Sequence, residues 1–424
     1  MSVSLSAQSI VEVRGNHFYR DGKPYYFLGA NFWYGMHLGA PSAPGNRERL
    51  RKELDQLEAL CITNLRIMAG SEGPDGAPWR VDPSLQPAPG IYNEALLEGL
   101  DFLLLEMGKR KMTAVVCLNN FWPWSGGFAQ YHRWFGGSEI PYPPPAEGGS
   151  WFTFARYSSR FYKNQLAMTA FDEHIRKIVG RVNSLTGKAY RDDPTIMSWQ
   201  LANEPRGIFR PRAYRRWIKR TAKLIKSIDT NHLVSIGSEG NTAGPTGNHF
   251  RRDHAPDLID YTTIHIWIQN WGWYDPEQHE ATYERALAKA VAYIDRHLKK
   301  AEKLKKPIVL EEFGIARDLG DHDPAATTRQ RDQYYGDIFQ HIYQLAERGT
   351  AMAGCNFWAW GGQGRPGAPE VIWAAGDDLI GDPPHEHQGW YSVYDRDDST
   401  LRVIKRYAEK CAAGEIRPAI SSWP

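Results

Sequence analysis

Apolar and polar positions along the chain fall into two alternating rhythms. The opening VEVRGNHFYRDGKPYYFLGANFWY alternates residue by residue around Asp21-Gly22. It predicts a hairpin leading into a first buried strand near Tyr26 to Phe32. Beyond it, segments of helical spacing precede short apolar runs. NRERLRKELDQLEAL leads to TNLRIM, ALLEGLDFLLLEMGKR to TAVVCLN, and FDEHIRKIVGRVNSL to TIMSWQLA. PRAYRRWIKRTAKLIKSI, with Pro211 near its start, leads to LVSIGSE and then YTTIHIW. A helical block from about Glu280 precedes PIVLEEFG, TRQRDQYYGDIFQHIYQLAE precedes MAGCNFWAW, and TLRVIKRYAEKCA closes the pattern.

Eight strand-like runs, mostly separated by helices and without linker or repeat, predict an α/β chain folded as a (β/α)₈ TIM barrel. It has a short N-terminal β-hairpin and long loops on the C-terminal face, residues 1–424 forming a single catalytic domain. A doubly wound sheet is the alternative, but no GxGxxG follows the first strand. Three long aromatic-rich segments follow strands: NNFWPWSGGFAQYHRWFGG, WIQNWGWY, and the stretch from Trp360 to Tyr391. In a barrel these loops share the face where ligands bind.

Strand alternation then selects the inward side chains. In the fourth strand Ile196, Ser198, Gln200, Ala202 and Glu204 share one face, and the bulkier Met197, Trp199 and Leu201 share the other. Glu204 therefore aims into the mouth, and Pro205 forbids continuation of the strand. Asn64 shares a face with Arg66, His265 with Thr263 and Trp267, and Trp358 with Asn356 and Trp360. Alternation sends Glu311 and Glu312 of the seventh strand to opposite sides without choosing between them.

Two carboxyls facing each other across a barrel mouth suit retaining glycoside hydrolysis. One gives a proton to the leaving oxygen and the other attacks the anomeric carbon. Arg66 beside the second would favour its anionic form, and Asn203 could hydrogen-bond the sugar 2-OH. Each residue alone has a bland explanation: a salt-bridge partner, a structural arginine, a core histidine. Their convergence from four strands is what points to chemistry.

Composition sharpens this. Of 424 residues, 16 are Trp, 21 Tyr and 16 Phe, more flat apolar faces than a core calls for, and suited to stacking on sugar rings. A net charge of +2 gives no reason to expect nucleic acid or an anionic membrane as partner. Cys61, Cys117, Cys355 and Cys411 show no metal-like spacing, and their pairing stays open. His385 and His387 in HEHQ are a weak metal signal, so no metal site is expected. The first ten residues lack signal-peptide character, which leaves either a cytosolic protein or one whose leader has been replaced.

LANEPR together with LEEFG resembles glycoside hydrolase family 5, and the resemblance runs over nearly the whole chain from Tyr26. It implies that Glu204 is the acid/base and Glu312 the nucleophile, with Arg66, Asn203, His265 and Trp358 at sugar-binding positions. GKAYRDDPTIMSWQLANEPR, NNFWPWSGG and IHIWIQNWGWY are similar to the β-1,4-mannanase branch. Many members carry Tyr two residues after the strand-six His, where this chain has Trp267. The resemblance implies secretion or periplasmic residence, no metal or organic cofactor, and β-mannan or manno-oligosaccharides as partners; a monomer is expected. Trp33, Trp122, Trp271 and Trp360 are candidates for neighbouring sugar subsites. The activity expected first is endo-β-1,4-mannanase. The alternatives are an exo-acting β-mannosidase whose insertions, Trp122 to Trp151 and Gly361 to Trp390, wall one end of the cleft, a β-1,4-glucanase, and a non-catalytic carbohydrate-binding barrel.

Overall fold

A computed structural model describes residues 8–242, 246–369, 371–412 and 416. All eight predicted strands are present: β1 (Phe27–Asn31), β2 (Asn64–Met68), β3 (Thr113–Cys117), β4 (Ile196–Gln200), β5 (Leu233–Ser235), β6 (Thr262–Ile266), β7 (Ile308–Phe313) and β8 (Met352–Phe357). They pair in parallel in the order β5-β4-β3-β2-β1-β8-β7-β6. The β5–β6 seam is bridged by single bonds, from Asp260 N–H to the Val234 carbonyl and from His265 N–H to the Glu239 carbonyl. The eight-stranded TIM barrel read from the sequence is therefore the fold.

The intervening helices are α1 (Arg47–Ala59), α2 (Glu94–Lys109), α3 (Gln165–Val179), α4 (Pro211–Ile228), α5 (Phe250–His254), α6 (His279–Leu304), α7 (Arg329–Glu347) and α8 (Asp398–Ala412). Their starts follow local chemistry. Asn46, Asn93 and Asn164 side chains accept from the first-turn N–H groups of α1, α2 and α3, and Pro211 opens α4. The fifth unit departs from the pattern, since its helix has only five residues.

The N-terminal residues form a three-stranded antiparallel sheet, Glu12–Arg14, His17–Arg20 and Lys23–Pro24. Val11 and Phe18 from this region pack with Phe27, Val115, Met197, Leu233, Tyr261, Val309 and Ala353, which lie within or just before the first halves of seven strands. The sheet thus plugs the floor of the barrel, leaving the opposite end for ligands.

Met197 corrects the strict alternation predicted for β4. The β3–β4 register slips between Ala114 and Val115, which pair with Ile196 and Ser198. Met197 is the extra residue of a β-bulge and joins the floor cluster, while Ile196 packs with the outer core. Beyond the bulge the predicted phase returns, with Ser198 and Gln200 bonding inside the barrel.

Candidate active site

Past Gln200 the chain stays tied to its neighbours. Asn203 N–H donates to the Asn119 carbonyl at 2.8 Å, and Glu204 N–H to the Gly237 carbonyl at 2.9 Å. Glu204 has φ +47°, a left-handed conformation that costs a side-chain-bearing residue about 1 kcal/mol or more. With this twist, adjacent Asn203 and Glu204 both line the mouth. Glu204 Oε2 accepts from Trp122 Nε1 at 2.6 Å, and Oε1 accepts from Trp267 Nε1 at 3.3 Å. His265 Nδ1 lies 2.7 Å from the same Oε1.

The β7 end breaks alternation differently. Leu310 pairs with Ile264 and Glu312 with His265, so Glu311 is the bulged residue. Both carboxyls consequently reach the barrel interior, not opposite sides. Glu311 is fully buried and accepts from Gln200 Nε2 on both oxygens, at 2.9 and 2.8 Å. Glu312 lies above it at the cleft, bonded by Arg66 Nη1, with His265 Nδ1 3.3 Å from its Oε2.

Arg66 knits these pieces together. It donates to Gln200 Oε1 at 2.7 Å, Asn31 Oδ1 at 3.0 Å and Asn203 Oδ1 at 2.8 Å, besides Glu312. A guanidinium with every donor nitrogen engaged has little rotational freedom, so it fixes the carboxylate it holds.

The electrostatics centre on His265. Burial alone would lower its pKa, but Glu312, Glu204 and Glu311 around it push it well above the ordinary imidazole value. Burial likewise would raise Glu204. The hydrogen bond and charge of His265, then Arg206 and the Trp122 N–H, outweigh that and hold it at about 2. The cluster's proton therefore resides on the imidazole side of a 2.7 Å contact with Glu204.

One oxygen of Glu204 and one of Glu312 lie within 4.8 Å of each other. Retaining glycosidases hold their carboxyls about 5–5.5 Å apart, and inverting ones about 6.5–9.5 Å.

The family profile described as GH family 5 beta-mannosidase-like matches residues 8–415. The chain belongs to this family. It is a glycoside hydrolase of the β-mannoside-acting branch of family 5. It is 30% identical over 374 residues to mannan endo-1,4-beta-mannosidase 5 of Solanum lycopersicum, covering 84% of this chain and 82% of that one. It is 32% identical over 370 residues to mannan endo-1,4-beta-mannosidase 7 of Arabidopsis thaliana, covering 84% and 78%. Among solved structures, the glycoside hydrolase family 5 mannosidase from Rhizomucor miehei is 40% identical, with TM-score 0.88 over 96% of this chain and 98% of that one. A variant of that mannosidase has been solved with mannosyl-fructose.

In this family 5 chain the two carboxyls open onto a cleft of about 570 Å³. Trp122, Trp267, Trp271 and Trp358 line it, as does Asn203. The Arg206 guanidinium sits 4.6 Å from the Trp122 ring centroid and makes a two-pronged ion pair with Glu239, at 2.7 and 2.8 Å. Trp267 directs its N–H to Glu204 rather than to Glu312.

Two of the predicted subsite tryptophans are buried. Trp360 is completely buried, and its Nε1 donates to Glu53 Oε2 at 3.1 Å behind the barrel wall. Trp33 is also buried, donating to the Gly381 carbonyl at 3.0 Å and packing on Trp124 with ring centroids 5.3 Å apart. Trp360 packs away from the cleft, whereas Trp33 borders a small void beside Arg66, Asn203 and Trp358. Sequence position after a strand cannot distinguish a loop residue facing the cleft from one facing its neighbour.

Several cleft residues escaped the sequence reading: Glu239, Arg206, Asn270, Tyr391 and Glu386. Glu386 is the most unusual. Its Oε2 is buried without a hydrogen-bond partner, and burial, then the charges of Asp382, Glu312 and Glu204, push it well above the carboxylate range. It stands in the HEHQ segment, where the two histidines drew attention to metal instead. Among the described residues the one cluster with metal-like spacing is Glu204, His265 and Glu312. Arg66 and the two tryptophan N–H groups already occupy those carboxylates, a poor setting for a cation.

Proposed function

We propose that the chain is an exo-acting, retaining β-mannosidase that removes mannose from the non-reducing end of β-1,4-manno-oligosaccharides. This is favoured over the endo action that the sequence segments resemble. The observation that carries it is the contact between the two long insertions. Trp151, after β3, meets His385, after β8, edge-on at 5.5 Å between ring centroids. Between these strands in the barrel lie β2 and β1, so the contact bridges the rim over them. Trp33 reinforces the wall by joining Trp124 and Gly381 beneath it. A cleft walled at one end accepts chain termini rather than chain interiors. Mannose rather than glucose as the cleaved sugar is supported by the family match and by the mannosidases and mannanases to which the chain is similar.

In this reading Glu312 attacks the anomeric carbon while Glu204 gives its proton to the departing oxygen. Glu204 then takes a proton from the water that releases mannose. His265 supplies the proton to Glu204 across their short contact. Arg66 and His265 hold Glu312 in line, and Asn203, anchored through Oδ1, keeps an N–H for the sugar 2-OH. Trp358 forms the platform beneath the ring. Glu386, whose Oε2 has no partner at the walled side, receives the hydroxyls of the terminal sugar.

Hydrolysis of β-1,4-mannohexaose labelled at its reducing end tests the direction of attack. The label is expected to pass through the pentaose and then the tetraose, with free mannose at each step. Label appearing early in di- and trisaccharides would show cleavage within the chain and return the endo reading.

A further inference from the structure

Helix α6 meets the strand ends with its middle rather than its start. Tyr293 Oη–H donates to the Glu239 carbonyl at 2.6 Å, and His297 Nε2 accepts from Asn241 N–H at 2.9 Å. The N-terminal half of this 26-residue helix thus projects beyond the strand ends. The preceding unit contributes only the five-residue α5, so among the described residues a flank of α6 is left uncovered.

A groove of about 540 Å³ occupies that flank, lined by Trp273, Tyr293, Lys289, Arg296, Lys300 and Asn241. The three cations are spaced i, i+7 and i+11, which places them on one face of the helix. None of them makes an ion pair among the described residues. Lys289 Nζ lies 5.4 Å from the Trp273 centroid and the Arg296 guanidinium 5.4 Å from that of Tyr293. Burial and the charge of Arg296 both lower the Lys300 pKa, as expected of a cation whose neighbour is another cation.

The groove connects to the cleft through aromatic rings. Trp271 lines the cleft, and its ring lies 5.0 Å from Trp273 and 5.4 Å from Tyr293. The opposite end of the cleft is walled by Trp151 and His385. A leaving group therefore departs over Trp271 toward Trp273 and the cations. Aromatic faces suit sugar rings, and unpaired cations suit a carboxylate.

We propose that this groove receives the far part of the leaving group and selects saccharides that carry a uronic-acid carboxylate there. The proposal rests on the exo reading and names the class of aglycone that reading leaves open.

Two trisaccharides test it, each beginning with a non-reducing β-1,4-linked mannose and ending in either glucuronate or glucose. At low salt the acidic substrate is expected to show a kcat/KM about fivefold higher, the size that two rim cations can supply, through KM rather than kcat. In 0.5 M sodium chloride, and in the K289A/K300A double variant at low salt, the acidic-to-neutral ratio is expected to fall to about one, as screening or removal of the cations requires. Equal rates for the two substrates in the wild-type protein would overturn the proposal, as would a ratio unmoved by the double substitution. Mannose released from neither trisaccharide would overturn the exo reading instead, a separate result.

Discussion

His265 Nδ1 lies 2.7 Å from Glu204 Oε1, and the imidazole, flanked by two further carboxyls, holds the proton that Glu204 gives up. Replacing His265 with Ala removes the main groups that keep Glu204 low, so burial takes over and its pKa rises from about 2. The loss in kcat is expected to be about 10²-fold or more, in the range of a proton-transfer partner. The basic limb of the pH–rate profile, which reports loss of the acid's proton, should shift as that proton passes from the imidazole to the carboxyl, and an unmoved limb would contradict the assignment.

The same contact has a signature in stability. Glu204 is depressed in the fold, so its contribution is present above the ordinary value of 4.5 and is lost as pH falls toward about 2. His265 is raised, so its contribution is complete below 6.5 and fades only as pH climbs through its higher folded value. The difference in Tm between wild type and His265→Ala should therefore shift toward the variant on going from pH 5.5 to pH 3. Thermal melts at the two pH values check this.

Glu311 and Glu312 are adjacent in sequence yet differ in access. Glu312→Ala is expected to remove nearly all activity, about 10⁴-fold or more by analogy with other lost nucleophiles. Glu311→Ala should lose far less activity but cost about 3 kcal/mol of stability. It strips a buried counter-charge from Arg66 and His265 and leaves Gln200 Nε2 without its carboxylate acceptor. Denaturant titration alongside initial rates separates the two effects, and reversed activity losses would move the nucleophile to Glu311.

Glu386 is raised in the fold and ordinary when unfolded, so folding takes up a proton there. Its ionisation increasingly opposes folding as pH rises above 4.5 toward its folded value. Glu386→Gln should accordingly flatten the decline of Tm between pH 5 and pH 8. A decline in Tm as steep as in the wild type would show that the carboxyl is not held protonated.

Trp360→Phe tests a placement rather than a role. Losing the N–H leaves Glu53 Oε2 with one partner fewer in a buried setting, and about 1–3 kcal/mol of stability should go with it. KM should not change, since the ring does not reach the cleft. A raised KM would restore Trp360 to the sugar-binding surface.

The barrel was legible because its evidence repeats: eight apolar runs, each with a turn and mostly a helix attached. The site was legible where a side chain follows the regular phase, as Arg66 and His265 do. It was not legible at Glu311 or Met197, where one inserted residue resets the phase. Nor does alternation bring Asn203 to the mouth, where the left-handed backbone at Glu204 places two consecutive side chains. Glu239 and Glu386 had no periodic context, because loops that fold back on a cleft carry no repeat by which a sequence can be phased. Trp33 and Trp360 share the local setting of Trp122 and Trp271, and only packing distinguishes them.

The most direct measurement of the central claim is proton NMR of the first minutes of mannohexaose hydrolysis, before the sugar mutarotates. An exo-acting, retaining enzyme built on Glu204 and Glu312 predicts β-mannose and mannopentaose as the first signals. α-Mannose appearing first, or mid-length oligosaccharides ahead of mannose, would contradict it.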